Sequence, residues 1–105
     1  MDRKKVIYIS GPITGVPEYY KAFEAMEDEL DALGYIALSP SRLPVGMSEA
    51  QYMRICFAMI DAADAVILLP GWSKSMGARL EKEYCLYTNK DIFADLTLLL
   101  EVIGC

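Results

Sequence analysis

The residue best placed for chemistry is Glu81, in the stretch "WSKSMGARLEKEYC" (residues 72–85). With about 100° between successive residues of a helix, Arg79, Lys82 and Glu83 form a charged stripe and Met76, Leu80, Tyr84 and Tyr87 an apolar one. Glu81 lies roughly 150° from the middle of the charged stripe. Its neighbours at helical spacing are Gly77, Ala78 and Cys85, all small or apolar. This places the carboxylate on a partly buried face with room above it. A carboxylate there costs desolvation energy unless something holds it, a pattern associated with functional sites. In the first strand, "VIYISGPITG", Tyr8 and Ser10 alternate with Ile7 and Ile9 and share a face. A buried phenol needs a hydrogen-bond partner, and Glu81 is a candidate.

Two further features bear on a ligand. Ser10, Gly11, Pro12, Ile13 and Gly15 belong to a glycine turn whose backbone N–H groups could cradle a phosphate or a sugar hydroxyl. The helix carrying Glu81 can be capped by Ser75, and Gly77 and Ala78 leave its first turn approachable; a helix N-terminus favours anions. Trp72, on the same loop, could stack on a base or fill a subunit interface. Lys74, Arg79 and Arg42 could neutralise a phosphate or simply face water. Blander readings stay open. Glu81 could pair with Arg79 or Lys82 or face a subunit partner, Tyr8 could bond to backbone, and the glycine turn could be an ordinary connection.

These residues need elements to hold them. "KKVIYISG" reads as a buried strand, "EYYKAFEAMEDELDALG" as a helix with Tyr19, Phe23, Met26, Leu30 and Leu33 on one face, and "YIALSP" as a second strand. Gly34 stops the first helix. Ser48 caps a second helix, "SEAQYMRICFAMIDAAD", and "AVILLP" follows as the most apolar and most central strand. "MGARLEKEYCLYTN" is the third helix and "DIFAD" a fourth strand; "LTLLLEVIG" reads as a terminal helix. Strict alternation of strand and helix predicts parallel strands with helical crossovers, a three-layer α/β fold on residues 1–105 as one domain. Ligands of such sheets sit at the carboxyl ends of the strands, where "SGPITG", "SPSRLP" and "PGWSKSMG" gather.

Composition narrows the chemistry. Apolar residues make up 54% of the chain, enough for a real core, and the formal charge is −5. That argues against a nucleic-acid polymer or an anionic membrane as partner. Arg3, Lys4 and Lys5 precede only a short apolar run, so no signal peptide is expected, and no stretch approaches the roughly 20 apolar residues that span a bilayer. Cys56, Cys85 and Cys105 are widely spaced and odd in number, which fits a reducing cytoplasm rather than a disulfide framework. Histidine is absent, which removes Ser-His-Asp and Cys-His catalysis and makes a zinc or iron site unexpected.

Taken together, "YISGPITG", "DAVILLPGW" and the S-M-G-A-R-L-E that opens the third helix resemble the nucleoside 2-deoxyribosyltransferase-like superfamily. The nearest likeness is to a small group of mostly phage and bacterial proteins of uncertain function. The resemblance runs over nearly the whole chain in the same order. It implies a flavodoxin-like (Rossmann-like) fold with a four- to five-stranded parallel sheet, a homo-oligomer, no cofactor and no metal. It also implies cleavage or transfer at the N-glycosidic bond of a nucleoside or nucleotide. The superfamily's nucleophilic glutamate, in a G-[TA]-x-x-E context, matches Gly77, Ala78 and Glu81; its orienting tyrosine matches Tyr8; its phosphate-holding turn matches Gly11 to Gly15. Such chemistry is physically coherent, since a nearby carboxylate stabilises or bonds to the oxocarbenium-like sugar as the base departs.

One position departs from the pattern. Active members carry an aspartate on the second helix where this chain has Cys56, eight residues before Asp64. Asp61 faces another side of that helix. Asp64 lies roughly 12 Å further along at 1.5 Å per residue, on the wrong edge of the sheet. Cys56 could be core packing, which keeps a second reading alive: a nucleotide-binding, sensing or sequestering protein without turnover. A pure interaction module is a third, favoured only if Glu81 is exposed.

Overall fold

The computed structural model describes residues 4–104. Arg3 of the basic start and Cys105 lie outside the described residues. Strand β1 (Val6–Ser10) leads into helix α1 (Tyr19–Ala32), β2 (Ile36–Leu38), α2 (Glu49–Ala62), β3 (Ala65–Leu68), α3 (Met76–Tyr87), β4 (Ile92–Phe93) and α4 (Leu96–Ile103). Short 3-10 turns cover Pro40–Arg42 and Trp72–Lys74.

The four strands form one all-parallel sheet in the order β2-β1-β3-β4. This is the flavodoxin-like arrangement expected, with the lower of the expected strand numbers. The chain moves outward from β1 to β2, then crosses back to build β3 on the other side of β1. The direction of winding therefore reverses between β1 and β3, the switch point where α/β sheets leave a crevice at their carboxyl edge.

Local signals explain the element ends. Ser48 and Gln51 form a reciprocal capping box at the start of α2. Asp95 caps α4 through the Leu98 N–H at 2.9 Å. Gly34 turns away from α1 with φ +88°, a conformation that a Cβ would strain. Asp64 accepts the Val6 N–H at 2.7 Å and so ties β1 to the entry of β3, a structural task.

Two helices cover each side of the sheet. Ile7, Ile9, Ala65 and Ile67 pack against Phe23 and Leu30 of α1 and Leu99 of α4. Tyr8 and Val66 pack against Cys56 and Ile60 of α2 and Cys85 of α3. Leu33, expected on the buried face of α1, instead follows that helix as its cap and is 47% exposed. No helix among the described residues is long and apolar enough to cross a membrane.

Candidate functional site

The third helix turns a side other than its apolar one toward the sheet. Its buried residues are Ala78, Glu81 and Cys85, while Met76, Leu80 and Tyr87 face outward. Small side chains at 77, 78 and 85 let the helix lie close to the sheet, and Glu81 is carried in with them.

Glu81 is 6% exposed and lies against the first strand. Tyr8 donates its hydroxyl hydrogen to Glu81 Oε2 at 3.1 Å, and Ser10 donates to Oε1 at 2.7 Å. Each carboxylate oxygen thus receives one hydroxyl from the same face of β1. The Cys56 thiol is buried in the same cluster as Tyr8, where it feels the Glu81 charge. No buried side-chain nitrogen or oxygen among the described residues lacks a partner.

The electrostatics follow from burial. Desolvation raises the Glu81 carboxyl above its ordinary range, against the lowering effect of hydrogen bonds from Ser10, Tyr8 and Cys56. Desolvation, then the Glu81 charge, holds the Tyr8 phenol far above its ordinary range, so it remains protonated and keeps donating. Burial pushes the Cys56 thiol up to about 11 and the Cys85 thiol likewise to about 11, with the Glu81 charge adding to both. Burial thus favours the protonated form of both thiols.

The surrounding loops form the rim. Ser75 caps α3 by accepting the Ala78 N–H at 3.2 Å. A Cβ built at Gly77 would meet Met53 Sδ of α2 at 3.8 Å and Ser75 Oγ at 4.0 Å, so Met53 fronts the first turn of α3. The loops after β1 and β3 touch: a Cβ at Gly71 would lie 3.6 Å from Pro12. Trp72 is half-buried, and the Lys82 ammonium sits 4.7 Å from its ring centre, covering one face.

The glycine turn also has a packing role. A Cβ at Gly11 would clash with the Leu69 side chain at 2.9 Å, so its lack of one serves packing. Ile13 packs its side chain against the α1-side core, and its carbonyl accepts the Val16 N–H at 3.1 Å. Gly15, with φ +76°, turns there with open space beside it.

The cations disperse. Arg42 is held by Glu27 at 2.6 Å on the α1 side of the sheet, and Arg79 faces solvent on the outer side of α3. Asp61 accepts the Tyr84 hydroxyl at 2.7 Å, away from Glu81. No group of three or more His, Cys, Asp or Glu side chains among the described residues could hold a metal ion. Sequence reasoning missed the nearness of Met53 to Gly77 and of Lys82 to Trp72. Both are tertiary contacts with no sequence signal. The pairing of Ser10 with Glu81 was within reach, since strand alternation already put Ser10 beside Tyr8.

Comparison with known proteins agrees with this fold. The chain resembles, in structure, "2-desoxiribosyltransferase from Leishmania mexicana" with a TM-score of 0.60 and 24% identity. The likeness covers 85% of this chain and 62% of that one, so the chain spans less than two thirds of that protein's length. The shared feature is the deoxyribosyltransferase-like fold that the sequence motifs resemble. No curated protein matches the chain. Residues 5–94 match a family described as a domain of unknown function, DUF4406, and the chain belongs to that family.

Proposed function

We propose that this protein cleaves or transfers at the N-glycosidic bond of a (deoxy)nucleoside or nucleotide, with Glu81 as nucleophile and Tyr8 beside it. The observation that carries this reading is a buried carboxylate held by two hydroxyls, Tyr8 and Ser10, at the switch point of the sheet. Stability gives little reason for it, because an apolar side chain there would avoid the desolvation cost. The resemblance of the motifs to deoxyribosyltransferases adds the substrate class.

In the proposed reaction a Glu81 oxygen bonds to the anomeric carbon as the bond to the base nitrogen breaks, and the base leaves with the bonding pair and takes up a proton from solvent. Oε1, at 2.7 Å from Ser10, is the more firmly held oxygen; Oε2, at 3.1 Å from Tyr8, is the freer to attack. Water, or a second base, then attacks the same carbon and releases the carboxylate. Ser10 acts as a positioning residue for Glu81. The first turn of α3, with Ser75, Gly77 and Ala78, the turn from Gly11 to Gly15, and Trp72 are the proposed substrate contacts. The working form is a cytoplasmic homo-oligomer, in keeping with the resemblance.

A second reading, binding or sensing of a nucleotide without turnover, is favoured by one observation. Cys56, a neutral thiol, stands against Glu81 where active members of the superfamily carry an aspartate. One experiment separates the two. Wild type, Glu81→Ala and Cys56→Asp are incubated with deoxynucleosides, deoxynucleotides and NAD, and released base is measured. Release by wild type that Glu81→Ala abolishes supports the enzyme. Binding without release, with activity gained in Cys56→Asp, supports the binder.

A further inference from the structure

Helix α3 leaves its most apolar side without an intramolecular partner. Met76 is 69% exposed, Leu80 47% and Tyr87 89%, and all three fall within about 40° around the helix, opposite the buried Ala78, Glu81 and Cys85. Tyr84, at the margin of this stripe, is already engaged: its ring stacks on Phe57 at 4.4 Å and its hydroxyl bonds to Asp61. The opposite margin carries Arg79 and Glu83, both exposed. Although four residues apart, they form no ion pair with each other or with any other described residue. Arginine preceding glutamate is the less favourable order for a pair within one helix.

We propose that this stripe is the contact between two copies of the chain, with α3 packed antiparallel on α3 across a two-fold axis. The charges choose this occupant. A two-fold perpendicular to the helix brings residues equidistant from its centre face to face, and those on one margin meet the same margin of the partner. Centred near residue 81, Arg79 falls opposite Glu83 of the partner subunit, and Glu83 opposite Arg79 of the partner subunit. The same register sets Met76 against Tyr87 of the partner subunit, with Leu80 near the middle. The stripe is therefore self-complementary in charge: two opposite-charge pairs line one margin of a central apolar strip, an arrangement fitting an isologous interface. A partner of different sequence would give no reason for the two charges to be symmetric about the stripe's centre.

The pairing would also reach the candidate site. Met76 opens the helix whose next residues are Gly77 and Ala78, so an aromatic ring from the second copy lands at the rim, and pairing braces the helix that carries Glu81. This inference rests on the homo-oligomer of the proposed function and not on its chemistry.

Sedimentation velocity on the full chain tests it, with base release measured separately so that the two readings fail independently. Wild type sediments as a species of twice the chain mass. Leu80→Ser with Tyr87→Ser gives a monomer with unchanged far-ultraviolet circular dichroism. Arg79→Glu and Glu83→Arg each place like charges face to face twice per dimer and weaken association about tenfold or more. The double variant Arg79→Glu/Glu83→Arg reverses both pairs and restores association to within about threefold of wild type. A monomeric wild type overturns the proposal. So does a dimer that survives Leu80→Ser/Tyr87→Ser, or single reversals whose losses simply add in the double variant. The last outcome would place the interface elsewhere or in another register.

Discussion

Strand β1 feeds two compartments of equal burial and unlike chemistry. Ile7 and Ile9 point to the α1 and α4 side; Tyr8 and Ser10 point to the α2 and α3 side; all four are 0% exposed. On the first side the partners are hydrocarbon: Phe23, Leu30 and Leu99. On the second side a carboxylate, a phenol, a hydroxyl and a thiol meet. The first compartment is what folding alone selects, because each buried methylene contributes roughly 0.8 kcal/mol and leaves no polar group to satisfy. The second satisfies its polar groups internally, yet gains less than an apolar filling of the same volume would. Residues that cost stability in a fully paired arrangement at a sheet's ligand edge point to a use beyond folding.

The sharpest way to break this contrast is Glu81→Gln. It should lower base release by at least about 1000-fold, as loss of a nucleophile does, while leaving stability to urea unchanged or higher. A variant that unfolds but keeps full activity in its folded fraction would reverse the assignment of the two compartments. Ile9→Ala should do the opposite. It should cost about 2–5 kcal/mol in urea unfolding and leave the turnover of the folded fraction near wild type.

Tyr8→Phe falls between the two. It should cost about 1–3 kcal/mol of transition-state or folding free energy, read from kcat/KM and urea midpoints. It also removes a hydrogen bond that lowers the Glu81 pKa. The rising limb of the pH–rate profile, which reports ionised Glu81, should therefore move to higher pH. A limb that stays put would mean the phenol does not hold the carboxylate.

The smallest expected effect is a pH trend. Glu81 in the folded protein has a pKa above its unfolded value of about 4.3, so the folded state binds this proton more tightly. Its contribution to stability is full below about pH 4.3 and is lost as pH rises through the folded value. The stability advantage of Glu81→Gln over wild type should thus widen with rising pH and level off once Glu81 is ionised. A gap that narrows over that range contradicts a carboxyl destabilised by burial.

Much of this could be read in the amino-acid sequence, for identifiable reasons. Strand and helix order, the Ser48 and Ser75 caps and the turn at Gly34 are local, and local chemistry determined them. The inward turn of Glu81 was legible because its helical neighbours are small. What hydrophobicity misreports is the side of α3 that packs. The helix lies against the sheet through Ala78 and Cys85, while the larger Met76, Leu80 and Tyr87 stay outside. Size, rather than apolarity, decided the face. Cys56 could be matched to a place in a pattern, but its contact with Tyr8 and Glu81 depends on how α2 and α3 converge over β1, which spacing along one element does not encode. At position 11 the sequence showed a glycine turn with backbone N–H groups on offer, but not the close approach of the Leu69 side chain that leaves no room for a Cβ there.

The central claim is that the Glu81 carboxylate forms a bond to the sugar. Its most direct test is peptide mass mapping after incubation with 2-fluoro-substituted nucleosides and nucleotides, whose fluorine slows release of a glycosyl-enzyme. The account predicts a sugar-mass increment confined to the peptide that contains Glu81 and absent from Glu81→Gln. Base release with the increment on another residue, or an unchanged increment in Glu81→Gln, would contradict it.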